Sequence, residues 1–230
     1  MIRTEAQPDF AREDPKTTLL ADIVRAQHGA APRRLLVVGC GSGVESAALA
    51  QRFDAQVTGI DIAPAFDQEA CKHAELLYGD ATCMVFDDAS FDCVYSYHVL
   101  EHIPDFRAAL AEMRRVLKPG GSFMIGTPNR SRVVGYLGSS QTPLRLKVQW
   151  NLDDWSARLR GRFRNELGAH AGYTFEELRD ELGSTFTSVT SITPDYYYRL
   201  YRRQAKLVSI LLNTGTWRFL FPAIYFYGMR

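Results

Sequence analysis

The chain has 230 residues, 46% hydrophobic and 23% charged, ordinary proportions that exclude a disordered or low-complexity protein. Its formal charge is +1, so nothing global points to nucleic acid and none is expected as a partner. The halves differ: residues 1–129 carry 12 Lys+Arg against 18 Asp+Glu, and residues 130–230 carry 15 against 8, which fits either an anionic partner or a plain solvated basic face.

Asp14-Pro15 reads as a cap and first helical residue, opening a helix to about His28. Arg34–Val38 is a short apolar run typical of a strand buried on both faces. Gly39-Cys40-Gly41-Ser42-Gly43 breaks it, and helical periodicity resumes from Val44 to Phe53. A second strand, Gln56–Ile60, ends at Asp61, and Pro64 is expected to start another helix. Glu75–Tyr78 reads as a third strand ending at Gly79-Asp80, and Phe91–Ser96 as a fourth.

From Pro104 to Leu117 the apolar positions recur every three to four residues, as in an amphipathic helix on a sheet. Lys118-Pro-Gly-Gly121 stops it, and Ser122–Gly126 is the fifth strand. Residues 130–172 hold no clear strand but contain Trp150, Trp155 and the run Arg158–Arg164. A Thr174-capped helix (Phe175–Leu182), a strand (Phe186–Ile192), a helical stretch (Tyr196–Leu212) and a last strand (Ala223–Tyr227) follow. Strands alternating with helices give an α/β, Rossmann-like, seven-stranded and mostly parallel sheet with helices on both faces. We divide this single domain into an N-terminal helical segment (1–32), a cofactor core (33–129) and two acceptor-side insertions or lids (130–172 and 193–220).

Cys40, Cys71, Cys83 and Cys93 show no CxxC pairing or metal spacing, so free thiols in a reducing compartment and no metal site are expected. The first residues lack the apolar core of a leader, which makes cytoplasm the default. The 207–228 stretch is broken by Asn213, Gly215, Arg218 and Pro222, so it is not read as a membrane span; peripheral membrane contact and a homodimer stay open.

The glycine loop lets a ligand approach the backbone closely. A dinucleotide fingerprint wants GxGxxG, and position 44 is Val, which disfavours a nicotinamide oxidoreductase. Asp61 ends the next strand, where a carboxylate can accept from a ribose diol, and Asp80 ends the third, where it can accept from an adenine amino group. Loop acids at turns are the plain alternative for each taken singly.

LLVVGCGSG, GIDIAP, GDA, DDASFDCVYSYHVLEHIPD and LKPGGSFMIGTPN, in this order, resemble the class I S-adenosylmethionine-dependent methyltransferases, especially their small-molecule and quinone-biosynthesis branch. The resemblance runs from about Arg34 to Asn129 and more loosely through His170–Leu182. It implies S-adenosyl-L-methionine as cofactor and S-adenosyl-L-homocysteine as product. It sets Gly39, Cys40, Gly41 and Gly43 beside the methionine part, Asp61 and Ile62 at the ribose, Asp80 and Ala81 at the adenine, and Ser96 and Tyr97 near the sulfonium. One position departs: the family has Asp or Glu where this chain has Val37.

Resemblance also sets the segment from His98 to His102 where cofactor and acceptor meet. His102 could serve as a base toward a hydroxyl, or with Glu101 it could cap the following helix or orient the loop. His170 could face the acceptor or be a surface-loop histidine. The aromatic second half suits a pocket for a flat or lipophilic acceptor, or equally a core or dimer face. Methyl transfer to a small or lipophilic acceptor, with oxygen as the atom, is the expected function. C- or N-methylation and a non-catalytic cofactor binder are the alternatives.

Overall fold

The computed structural model describes residues 15–29, 31–63, 65–136, 143–165 and 171–230. The sheet has seven strands: β1 (Arg34–Val38), β2 (Gln56–Asp61), β3 (Glu75–Tyr78), β4 (Phe91–Tyr97), β5 (Leu117–Pro128), β6 (Ser188–Ser191) and β7 (Ala223–Met229). Their order is β3-β2-β1-β4-β5-β7-β6. The first five run parallel, and β7 lies antiparallel between β5 and β6. The order reverses between β1 and β4, where an open α/β sheet leaves a crevice at the carboxyl ends of its strands.

Side-chain alternation sorts the core into two layers. Leu35, Val37, Tyr95, Tyr225 and Tyr227 point to one face, under α1 (Pro15–His28) and α2 (Val44–Phe53). Leu36, Val38, Val94, Ile224 and Phe226 point to the other. That face is covered by α3 (Phe106–Val116) and α5 (Phe175–Thr185), through Leu110, Met113, Leu178 and Leu182. Burial of β1 on both faces explains its unbroken apolar run. The Asp105 side chain caps α3 by accepting from the Ala108 amide at 3.1 Å, and a Thr174–Glu177 capping box opens α5.

Three expectations need correction. Pro64 lies outside the described residues, and between it and β3 there is one 3-10 turn, Ala70–Lys72, in place of a helix. Asp67 Oδ1 accepts from the amides of Glu69 and Ala70, both at 2.9 Å, which closes that turn locally. β5 begins at Leu117, running through Lys118-Pro-Gly-Gly121 with an irregular register opposite Phe91–Cys93. The 130–172 stretch, read as holding no clear strand, contains among the described residues a 16-residue helix, α4 (Leu144–Leu159). The single helix expected over Tyr196–Leu212 is two, α6 (Thr193–Leu200) and α7 (Ala205–Thr214), joined by a 3-10 turn. A short α8 (Trp217–Leu220) then leads into β7.

Candidate active site

The glycine loop leaves β1 with all three glycines at positive φ. A Cβ on Gly39 would lie 2.1 Å from Val99 Cγ2, so both backbone and packing demand glycine there. At Gly41 (φ +53) nothing lies within 4 Å of the Cβ position, which leaves the backbone open to a close ligand. Asp61 braces the loop: Oδ2 accepts from the Gly41 amide at 2.8 Å, and Oδ1 from the Ala63 amide at 2.9 Å. Asp80 Oδ1 accepts from the Thr82 amide and hydroxyl, both at 2.8 Å. The amide bond holds its carboxyl below the usual carboxylate range, so it is charged at neutral pH.

Gly39, Asp61, Ile62, Asp80 and Ala81 line one crevice of about 490 Å³, together with His98 and His102. Ile62 stands 64% exposed at its edge, an apolar side chain with room for a flat ring against it. Charged acceptors at two strand ends, apolar walls and an open glycine backbone fit the nucleoside and methionine parts of S-adenosylmethionine. Five residues expected here do not line it: Gly41 and Gly43 stand further along the loop, and Cys40, Ser96 and Tyr97 lie elsewhere. Cys40 is buried, and desolvation, with Asp61 adding to it, pushes its thiol up to about 12. Ser96 is fully buried in β4. Tyr97 turns into a neighbouring cavity.

That cavity, of about 310 Å³, lies on the tyrosine-bearing face of the sheet. Tyr97, Tyr136, Tyr196, Tyr197, Tyr201 and Tyr225 line it. Tyr97 and Tyr225 run near-parallel (11°) with centroids 6.2 Å apart, and Tyr196 packs 4.4 Å from Tyr225. Burial raises the Tyr197 and Tyr225 phenols well above their ordinary range, so they remain neutral. His98 is the one described residue that borders both cavities. Its φ of +57 is left-handed, uncommon for a side-chain-bearing residue. The His98 amide donates to the Gly126 carbonyl at 2.8 Å, and its ring stacks on Tyr97 at 4.3 Å.

His102 belongs to the first crevice alone, with its side chain 52% exposed. Its Nε2 is 4.0 Å from Glu101 Oε1. Glu101 is buried with no geometric hydrogen-bond partner for either carboxyl oxygen among the described residues, and burial lifts it to about 7 against the opposing pull of its own backbone amide and, after it, of Arg132. Glu101 sits in a 3-10 turn, Leu100–His102, that precedes rather than caps α3. His170 lies outside the described residues. At the departing position, Val37 is buried among apolar side chains. Its register partner Tyr95 donates to Glu45 Oε1 at 2.7 Å, and Thr17 donates to the same oxygen at 2.9 Å. A carboxylate therefore does stand on this face, in the first turn of α2. Sequence reasoning passed over Glu45, Lys16 and Arg132; only the fold brings them to the tyrosine face.

The strand order, the switch-point crevice and the braced glycine loop make a Rossmann-like α/β scaffold with a crevice suited to a nucleoside ligand. Residues 36–125 match the methyltransferase domain family. Over 118 residues the chain is 38% identical to the ubiquinone biosynthesis O-methyltransferase of Xanthomonas oryzae pv. oryzae, covering 48% of this chain and 49% of that protein. The chain thus matches about half the length of that curated relative. Among solved structures, the YcgJ protein of Bacillus subtilis is 17% identical, with a TM-score of 0.57 over 94% of this chain and 98% of its own. Phosphoethanolamine N-methyltransferase 2 of Haemonchus contortus, solved with S-adenosyl-L-methionine, is 18% identical, with a TM-score of 0.53 over 90% of this chain and 51% of its own.

Proposed function

We propose that this chain transfers a methyl group from S-adenosylmethionine to an oxygen of a small acceptor held in the tyrosine cavity. The observation that carries this reading is His98, bordering the cofactor crevice on one side and the tyrosine cavity on the other. Bound there, S-adenosylmethionine supplies a methyl whose bond to sulfur breaks with the electron pair going to sulfur, leaving S-adenosylhomocysteine. The acceptor oxygen provides the pair for the new carbon–oxygen bond and gives up its proton. Asp61, Asp80 and the glycine loop hold and orient; the tyrosines exclude water and align the acceptor. The His98 imidazole stands where that proton leaves and can take it. His102, on the cofactor side, is read as a wall of the adenosine site rather than the base. Oxygen is favoured over nitrogen by the relative matched at 38% identity, itself an O-methyltransferase.

Calorimetry tests the reading. S-adenosylhomocysteine should bind one to one and NAD should not. Asp61→Asn should weaken binding about tenfold, the worth of one charge-assisted hydrogen bond. Failure of S-adenosylhomocysteine to bind would overturn it.

A second observation favours contact with a membrane surface. Leu144, Val148, Leu152, Trp155 and Leu159 form a stripe along α4, each at least 42% exposed, beside exposed Arg145, Arg160, Arg162 and Arg164. Among the described residues no helix is long and apolar enough to cross a membrane. An anionic bilayer surface answers both the apolar stripe and the cations, whereas a second copy would bring like charges together.

A further inference from the structure

The stretch that follows Asp80 has no regular structure to hold it. Residues 79–90 contain neither helix nor strand. Yet Ala81 and Thr82 wall the first crevice, and Met84, 7% exposed, joins Val38, Ile60 and Ala81 in the core beneath it. A buried main chain still needs partners for its polar groups. At Met84 both partners are side chains of α3: the amide donates to Glu112 Oε2 at 2.8 Å, and the carbonyl accepts from Arg115 Nη2 at 3.0 Å. The other Arg115 donors are engaged as well. They reach both oxygens of Glu112, at 2.7 and 2.8 Å, the Phe86 carbonyl at 2.8 Å and Asp88 Oδ1 at 2.7 Å. Arg115 holds the Glu112 carboxyl below its ordinary range, so the pair is charged at neutral pH.

The two ends of the stretch are held differently. The far end is tied by main chain, Ala89 and Ser90 donating to the carbonyls of Arg115 and Val116 at 3.0 and 2.8 Å. At the crevice end, Thr82 and Cys83 bond back to Asp80 within their own turn, and the α3 pair is the next polar tie along the chain. A surface ion pair by itself adds little stability. A planar fork that grips two carbonyls while locked to a carboxylate fixes position.

Resting on the methyl-transfer reading, with adenine beside Asp80, we propose that Glu112 and Arg115 are positioning residues for the cofactor. By gripping Met84 they fix the Asp80–Thr82 turn so that it distinguishes an adenine amino group from its replacement. Neither side chain lines the crevice, so the effect passes through the main chain.

The test is calorimetry on the full chain with S-adenosylhomocysteine and with S-inosylhomocysteine, in which an oxygen replaces the adenine amino group. The parent should prefer the first about tenfold, the worth of one hydrogen bond to a charged acceptor. Arg115→Met keeps the apolar stem without the fork and should bring that preference within about twofold of none. Arg115→Lys, whose donors radiate from one point, should fall between. Arg114→Met, altered at an exposed neighbour on α3, should leave the preference unchanged. Variants are compared where their circular dichroism matches the parent, and Arg115→Lys, which keeps the charge, decides if Arg115→Met does not fold. The parental preference retained in full, with both ligands weakened alike, is what a merely structural clamp gives and overturns the proposal. So does its loss in Arg114→Met. A parent that binds the two ligands alike removes the Asp80 placement and this proposal together. A parent that binds neither removes the methyl-transfer reading itself, so the failures show in different isotherms.

Discussion

His98 pays for its position in backbone conformation and recovers part of that through its ring. A left-handed non-glycine residue costs about 1–2 kcal/mol, and an aromatic stack such as the one on Tyr97 returns about 0.5–1.5 kcal/mol. Glycine removes both terms, whereas alanine loses the stack and keeps the strain. His98→Gly should therefore unfold in urea within about 0.5 kcal/mol of the parent, and His98→Ala should be about 1 kcal/mol weaker. Both should lose about a hundredfold in kcat, as removal of a proton acceptor does, with S-adenosylhomocysteine affinity retained. An alanine variant more stable than the glycine variant would contradict the strain argument, and full turnover in both would remove His98 from the chemistry. Asp61, by contrast, was legible from its place at a strand end. The left-handed His98 was not, because nothing in the segment from His98 to His102 marks which histidine sits at the corner.

At the scale of elements, α4 is a helix whose sole buried residue is Asn151, which accepts from the Gly135 amide at 2.7 Å. It is anchored by such polar ties, including the Trp155 indole donating to the Val133 carbonyl at 2.7 Å. Val133 in turn donates to the Phe219 carbonyl at 2.7 Å, so α4 and α8 flank one strip of chain. Val133, Trp155 and Phe219 are all exposed there. The four-four-three-four spacing of the α4 stripe carried a helical signal in the sequence. It was obscured because the arginines and tryptophans around it also fit a loop. Flotation with vesicles of mixed neutral and anionic lipid should retain the protein at low salt and release it at high salt. Vesicles of neutral lipid alone should retain much less. A Leu144→Glu, Leu152→Glu double variant, altered at exposed positions, should lose retention without losing stability. No retention on anionic vesicles at low salt would end the membrane reading.

Across the whole molecule, global stability should carry the mark of one buried carboxyl. Glu101 titrates at about 7 when folded, against 4.5 for the ordinary group, chiefly because burial disfavours its charge. Between those values the folded chain holds a proton that the unfolded chain has lost. Stability from this group is therefore full below about 4.5, falls as pH rises to about 7, and is level above. Glu101→Gln cannot ionise, so its advantage over the parent should grow from pH 4.5 to pH 7.5 by at most about 3 kcal/mol. Parallel urea midpoints for the two proteins across that range would refute this.

The parallel half of the sheet was readable because strands buried on both faces leave apolar runs and their loops end in Gly and Asp. The tyrosine face was not readable as a site. It gathers Tyr97, Tyr196 and Tyr225 from β4, α6 and β7, which only the sheet order brings together.

The last strand, β7, fills an interior slot between β5 and β6, both made before it. During synthesis the crevice residues from Val38 to Asp105 can assemble long before Tyr225 has left the ribosome, whereas the tyrosine cavity has no far wall until β7 threads home. A nascent chain would thus pass through a stage able to hold its methyl donor yet unable to receive anything to methylate.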